Sequence, residues 1–252
     1  MLPVPPLWPS RAFFIRVIDS LDPDGPPRME LILKAERGIF MRPGRLGVLS
    51  SSFNPPTTAH VMMVEQAKKT YALHEVLLLL SMRNVDKPLL GAPLEDRLSM
   101  VVRFAIHNPI LSVGATTHAL LLDQTKAFLP WYPPETEVFW VVGFDTFVRI
   151  LDPTYYTDPE NEIRRLFDTV HLIVVSRGSQ KVDDVKALLD LPSSRSFADR
   201  IRCLELDPFH AHLSSTEVRR RVAANELITD LVPPEVATYI REHGLYRPHT
   251  DS

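Results

Sequence analysis

The chain has 252 residues, 45% of them hydrophobic and 23% charged, and a formal net charge of −3. That length supports one full α/β core, and no break in composition marks a second domain. The faintly acidic balance, with a pI near 6.3, argues against a dedicated nucleic-acid binder, which displays a strongly basic surface. A single cysteine, Cys203, excludes an intramolecular disulfide and a multi-cysteine zinc site, in keeping with a reducing compartment. The longest strongly apolar run, Val76 to Leu80, is far too short to cross a bilayer. The start from Met1 to Ser10 is proline-rich without a secretory core. A soluble, cytoplasmic protein is expected, with the nucleus as a second compartment and no nucleic-acid or membrane partner; a homo-oligomer is left open.

In chain order, residues 1–44 form an extension. Phe13 to Ile18 and Met29 to Leu33 flank Asp22-Pro23-Asp24-Gly25-Pro26-Pro27, which reads as a hairpin that covers a sheet edge. Strands are expected near 45–50, 75–81, 110–114, 137–142, 170–175 and 201–206. Helical patterns lie near 58–70, 94–107, 116–128, 144–150 with 160–167, and 181–190. Such alternation makes an α/β fold, a Rossmann-like doubly wound parallel sheet, followed by C-terminal helices. In the common strand order 3-2-1-4-5-6, the first and fourth of these strands lie side by side and a crevice opens above their carboxyl ends. Residues 45–246 are taken as the domain and 247–252 as a tail.

Two segments carry chemistry. Ser51-Ser52-Phe53-Asn54-Pro55-Pro56-Thr57-Thr58-Ala59-His60 follows the first of these strands and opens a helix. The free amides of that helix start suit an anion. Near the other end, Leu213-Ser214-Ser215-Thr216-Glu217-Val218-Arg219 contains a capping box, Ser214 with Glu217, for a helix from Thr216 to Ala224. Hydroxyls, free amides and Arg219, one turn in, would also suit phosphate oxygens. The adjoining Arg220 and Arg221 read as a solvated face.

The first segment resembles the signature of the adenylyl- and cytidylyltransferases of small phosphate esters, Gly-x-Phe-x-Pro-x-Thr/His-x-x-His, and most closely that of the nicotinamide mononucleotide adenylyltransferases. Ser51 stands where that family has glycine, so an unusual backbone angle or a displaced loop is expected there. The late segment resembles the family's Ile-Ser-Ser-Thr-x-x-Arg, and Gly143-x-Asp145 its Gly-x-Asp. Lys87 and Arg97-x-x-Met100 resemble its lysine-bearing loop and following helix, while Val174 to Gly178 resembles its strand ending in Arg-x-Gly. An extension before a Ser-Ser-Phe-Asn-Pro-Pro-Thr loop is similar to that of a fungal branch.

The resemblance implies transfer of adenylyl from ATP to nicotinamide mononucleotide, giving NAD and pyrophosphate. His60, Thr57 and Arg219 would be catalytic. Ser51, Ser52, Phe53, Gly143, Asp145, Arg177, Ser214, Ser215 and Thr216 would join His60 and Arg219 in binding ATP. Asn54, Lys87, Trp131 and Tyr155 would bind the acceptor, the aromatic rings by stacking on the cationic pyridine. Magnesium would ride on the phosphates, with no dedicated protein ligand. Ordinary solvent exposure of Lys87 and ordinary packing of Arg97, Met100, Trp131 and Tyr155 remain alternatives. So do another phosphate-ester acceptor (pantetheine, choline or glycerol phosphate) and a nucleotide-binding protein without productive transfer.

Overall fold

The computed structural model describes residues 9–83, 91–176 and 182–248. Its centre is a seven-stranded sheet. The strands are β1 (Met29–Leu33), β2 (Arg45–Ser51), β3 (Glu75–Ser81), β4 (Leu111–Thr116), β5 (Glu137–Gly143), β6 (Val170–Ser176) and β7 (Ile201–Glu205). They lie in the order β1-β4-β3-β2-β5-β6-β7. From β4 to β7 every pairing is parallel, and β1 is antiparallel to β4. The expected order of the six later strands is therefore the observed one. β3 is buried along its whole length, as an interior position in a parallel sheet between helices requires.

The helices are α1 (Arg11–Asp19), α2 (Thr58–Tyr71), α3 (Leu94–Ala105), α4 (Leu121–Phe128), α5 (Phe144–Leu151), α6 (Pro159–Thr169), α7 (Val182–Leu189), α8 (Pro192–Arg195), α9 (Pro208–His212), α10 (Ser215–Ala223) and α11 (Pro234–Glu242). Alternation along the strands sends Leu49 and Leu78 into one core with Val64, Leu98 and Val101. Val48 and Leu77 face the opposite core, with Phe128, Trp140, Phe147 and Phe167. A third cluster, with Met100, Val218, Val236 and Tyr239, fastens α10 and α11 to α3. No helix among the described residues is long and apolar enough to cross a membrane.

Two expected elements differ. The hairpin in the extension is instead helix α1 followed by a lone strand, β1, which does cover the sheet edge at β4. Phe13 to Ile18 has the bulky composition of a strand, but Phe14 and Leu21 are buried at helical spacing and Phe13 and Val17 pack beside them. Ser10 caps this helix by accepting from the Phe13 amide. The helix expected over 116–128 begins only at Leu121, because β4 runs on to Thr116.

Beyond the β1–β4 ladder, the extension meets the sheet at a buried carboxylate. Glu75, the first residue of β3, is 0% exposed. It receives the Lys34 ammonium at 2.7 Å, the Ile39 amide at 2.6 Å, the Ser112 hydroxyl at 2.6 Å and the Tyr132 hydroxyl at 2.7 Å. Burial, then the Glu75 charge, pushes the Tyr132 hydroxyl far above the ordinary phenol range. The donors all converge on one anion, so removing it strands them. Glu75→Leu should lower unfolding stability by about 3–5 kcal/mol, the scale for breaking a buried ion pair, measured by urea denaturation.

Candidate nucleotide site

β2 ends at Ser51, which continues the ladder opposite Leu80. The unusual backbone angle expected at Ser51 falls instead two residues later, at Phe53, with φ +42° and a side chain 0% exposed in the core. A non-glycine residue in this region persists where packing holds it. Phe53 therefore shapes the turn from inside, and any contact with nucleotide would come from its backbone rather than its ring. The Asn54–Pro55 peptide bond is cis.

The loop delivers His60 into the first turn of α2. Its Nδ1 lies 3.0 Å from the Thr57 amide and 2.8 Å from Thr57 Oγ1, and its Nε2 lies 3.2 Å from Ser51 Oγ. Thr57 is 1% exposed. Its hydroxyl faces the imidazole, so the structure gives it the task of seating His60 rather than touching phosphate.

The late motif meets this loop from above. Arg219 donates from Nη1 to the carbonyl of Asn54 at 2.7 Å and from Nη2 to Thr216 Oγ1 at 3.1 Å. Ser215 donates its hydroxyl to the carbonyl of Pro55 at 2.8 Å. Ser214 accepts from the Glu217 amide at 3.2 Å, capping α10 as expected. The other half of the capping box is replaced: Arg220 and Arg221 hydrogen-bond the Glu217 carboxyl and hold it down at about 2. Arg219 and Ser215 thus carry a structural duty that capping arguments do not supply.

Asn54 is buried, with Oδ1 accepting from the Ala92 amide at 3.2 Å and the Tyr246 hydroxyl at 2.9 Å. Gly91, at φ +100°, passes so close that a Cβ there would sit 2.3 Å from Asn54 Nδ2. Asn54 thus ties its loop to the segments carrying Ala92 and Tyr246. Arg97 and Met100 are buried as packing residues, and Arg97 donates to the Ala92 carbonyl at 2.7 Å. Burial, with Arg219 nearby adding to it, lowers the Arg97 guanidinium.

Beside the loop lies a cleft of about 460 Å³ lined by Ser50, Ser52, His60, Gly143, Asp145 and Arg149 among others. It sits at the carboxyl ends of β2 and β5, where strand order reverses. Ser52, His60, Gly143 and Asp145 are thus brought together as expected. Thr146 and Arg149 also line it and were missed; Arg149 was legible as the residue four places after Asp145 on one helix face. Tyr155 borders the cleft through Arg149, whose guanidinium carbon lies 5.9 Å from its ring centroid. Trp131 is elsewhere: it precedes β5, beside Tyr132, which bonds Glu75 at the amino end of β3. The structure thus removes it from the acceptor site. Lys87 and Arg177 lie outside the described residues.

Comparison with known proteins agrees with this geometry. The Cytidylyltransferase-like family profile matches residues 48–221. A Schizosaccharomyces pombe protein named as a nicotinamide mononucleotide adenylyltransferase is 30% identical over 79% of this chain and 85% of its own length. A Moorella thermoacetica protein named as a nicotinate-nucleotide adenylyltransferase is 29% identical over 84% of this chain and 96% of its own. The solved Plasmodium falciparum nicotinic acid mononucleotide adenylyltransferase complexed with NaAD has the same fold, with a TM-score of 0.61 at 18% identity over 81% of this chain and 97% of that one. With its loop, late arginine and switch-point cleft in one place, the chain belongs to the cytidylyltransferase-like family.

Proposed function

We propose that this protein transfers the adenylyl group of ATP to nicotinamide mononucleotide, releasing pyrophosphate and forming NAD. The observation that carries the reading is the docking of the Ser215 and Arg219 motif on the Asn54–Pro55 carbonyls, beside a cleft holding His60 and Asp145. The pyridine acceptor is supported by the names of the relatives, which are nicotinamide- and nicotinate-nucleotide adenylyltransferases. Nicotinamide is chosen on the fission yeast relative.

The acceptor phosphate is already ionised at neutral pH, so its oxygen attacks the α-phosphorus in line and no protein nucleophile is required. The protein's work is to align two anions and stabilise charge as it gathers on the phosphates. His60 supplies a ring N–H to the α-phosphate at the start of α2. Arg219, oriented by Thr216, faces the β- and γ-phosphates with the donors left over from Asn54. Gly143 and Asp145 wall the nucleoside side of the cleft. No cluster of three or more His, Cys, Asp or Glu that could hold a metal occurs among the described residues. A magnesium ion accompanying ATP would have Asp145 as a neighbouring carboxylate and would neutralise triphosphate charge.

Incubation with ATP, magnesium and a panel of acceptors tests the reading. Pyrophosphate and NAD should appear with nicotinamide mononucleotide; pyrophosphate with pantetheine, choline or glycerol phosphate but with neither pyridine mononucleotide would overturn it. In the same assay His60→Ala should reduce kcat by roughly 10²–10³-fold, the scale for losing one preorganised donor, with a much smaller change in ATP binding. Arg219→Ala should raise the KM for ATP as well, and should lower the thermal midpoint because the Asn54 carbonyl loses its donor. A His60 variant within a few-fold of wild type would make the loop structural only.

A further inference from the structure

We propose that Ser51 is a positioning residue for His60, whose hydroxyl holds the ring N–H that an incoming nucleotide must claim. The proposal rests on the nucleotide-facing role assigned to His60 above. A main-chain N–H can only donate, so the 3.0 Å contact from the Thr57 amide makes Nδ1 an acceptor and leaves the ring hydrogen on Nε2. Nε2–H can in turn only donate, and the atom 3.2 Å from it is Ser51 Oγ. An imidazole has two nitrogens, and the protein engages both.

One of them has to let go if the ring is to serve a phosphate. Nδ1 is unsuited, because its lone pair repels phosphate oxygen and its partner belongs to the buried cap of α2. Nε2–H is the donor, and its protein bond is the longer of the two. Ser51 continues the β2 ladder opposite Leu80 and does not line the cleft, whereas Ser50, Ser52 and His60 do. Drawing Nε2–H into the cleft therefore breaks the bond to Ser51. With glycine here, as in the signature this loop resembles, no such bond exists. The hydroxyl thus fixes the resting orientation of the ring and sets a cost on nucleotide engagement.

Calorimetric titration with the α,β-methylene analogue of ATP tests this without any acceptor. If transfer failed with every pyridine mononucleotide, the acceptor reading would fall while this titration kept its meaning. Ser51→Ala and Ser51→Gly should each bind the analogue about two- to tenfold more tightly than wild type, the worth of one neutral hydrogen bond. Ser51→Thr, which restores the hydroxyl, should return affinity toward the wild-type value. Ring ¹H–¹⁵N correlations of the free wild-type protein should show the Nε2–H tautomer for His60, with Nε2 shifting on addition of the analogue and Nδ1 staying put. Should a variant fail to fold, these wild-type spectra decide alone. Binding no tighter in folded Ala and Gly variants, a Nδ1–H tautomer, or an Nε2 signal unmoved by the analogue would each overturn the proposal.

Discussion

Two backbone carbonyls organise the site. Pro55 and Pro56 have no N–H, and Phe53 turns the chain out of the ladder, so the loop after β2 is rich in acceptors and poor in donors. Buried carbonyls need partners. The loop cannot supply them, and α10 does, through Arg219 to Asn54 and Ser215 to Pro55. A return contact runs from the Thr58 amide to the Leu231 carbonyl at 2.9 Å. The strand-loop-helix and the late helix therefore exist as one unit, and the residues facing the cleft inherit their places from it.

The same unit gathers positive charge. Arg97 is 1% exposed, and burial first, then the Arg219 charge, moves its guanidinium pKa down. Two guanidiniums that oppose each other in this way favour an anion between or beside them. The amides expected to be free at the head of α2 are instead engaged, Thr57 with His60 Nδ1, Thr58 with the Leu231 carbonyl and His60 with the Thr57 carbonyl.

Much of this was legible in the sequence, for identifiable reasons. The strands from β2 to β7 showed as apolar runs at regular spacing, and right-handed crossover packing leaves few ways to order them. The two motifs were visible because prolines, hydroxyls and an arginine cluster there in a pattern that neither helix nor strand periodicity calls for, although the structure buries Pro55, Pro56 and Thr57. Less legible was anything that depends on where a turn stores its strain. Glycine in the resembled signature pointed to Ser51, but the positive φ belongs to Phe53, whose burial no local pattern reveals. Trp131 was misplaced because aromatic character says nothing about which end of a strand a residue sits at. Likewise α1 was obscured by bulky residues that suit a strand in isolation and a helix only once α3 lies beneath it, where Arg11 pairs with Glu95 at 2.6 Å and with Asp96 at 3.2 Å.

The bracing of Asn54 bears on the order in which the molecule can be made. The tie from Tyr246 spans 192 residues, and those from Ser215 and Arg219 span 160 and 165. β7 completes the parallel sheet at Glu205, and α10 begins ten residues later at Ser215. Until α10 is made the Asn54 and Pro55 carbonyls lack these donors, while Thr57 and Ser51 seat His60 locally. A chain stopped short of α10 would therefore lack both the donors that close the loop and the third core cluster on α3.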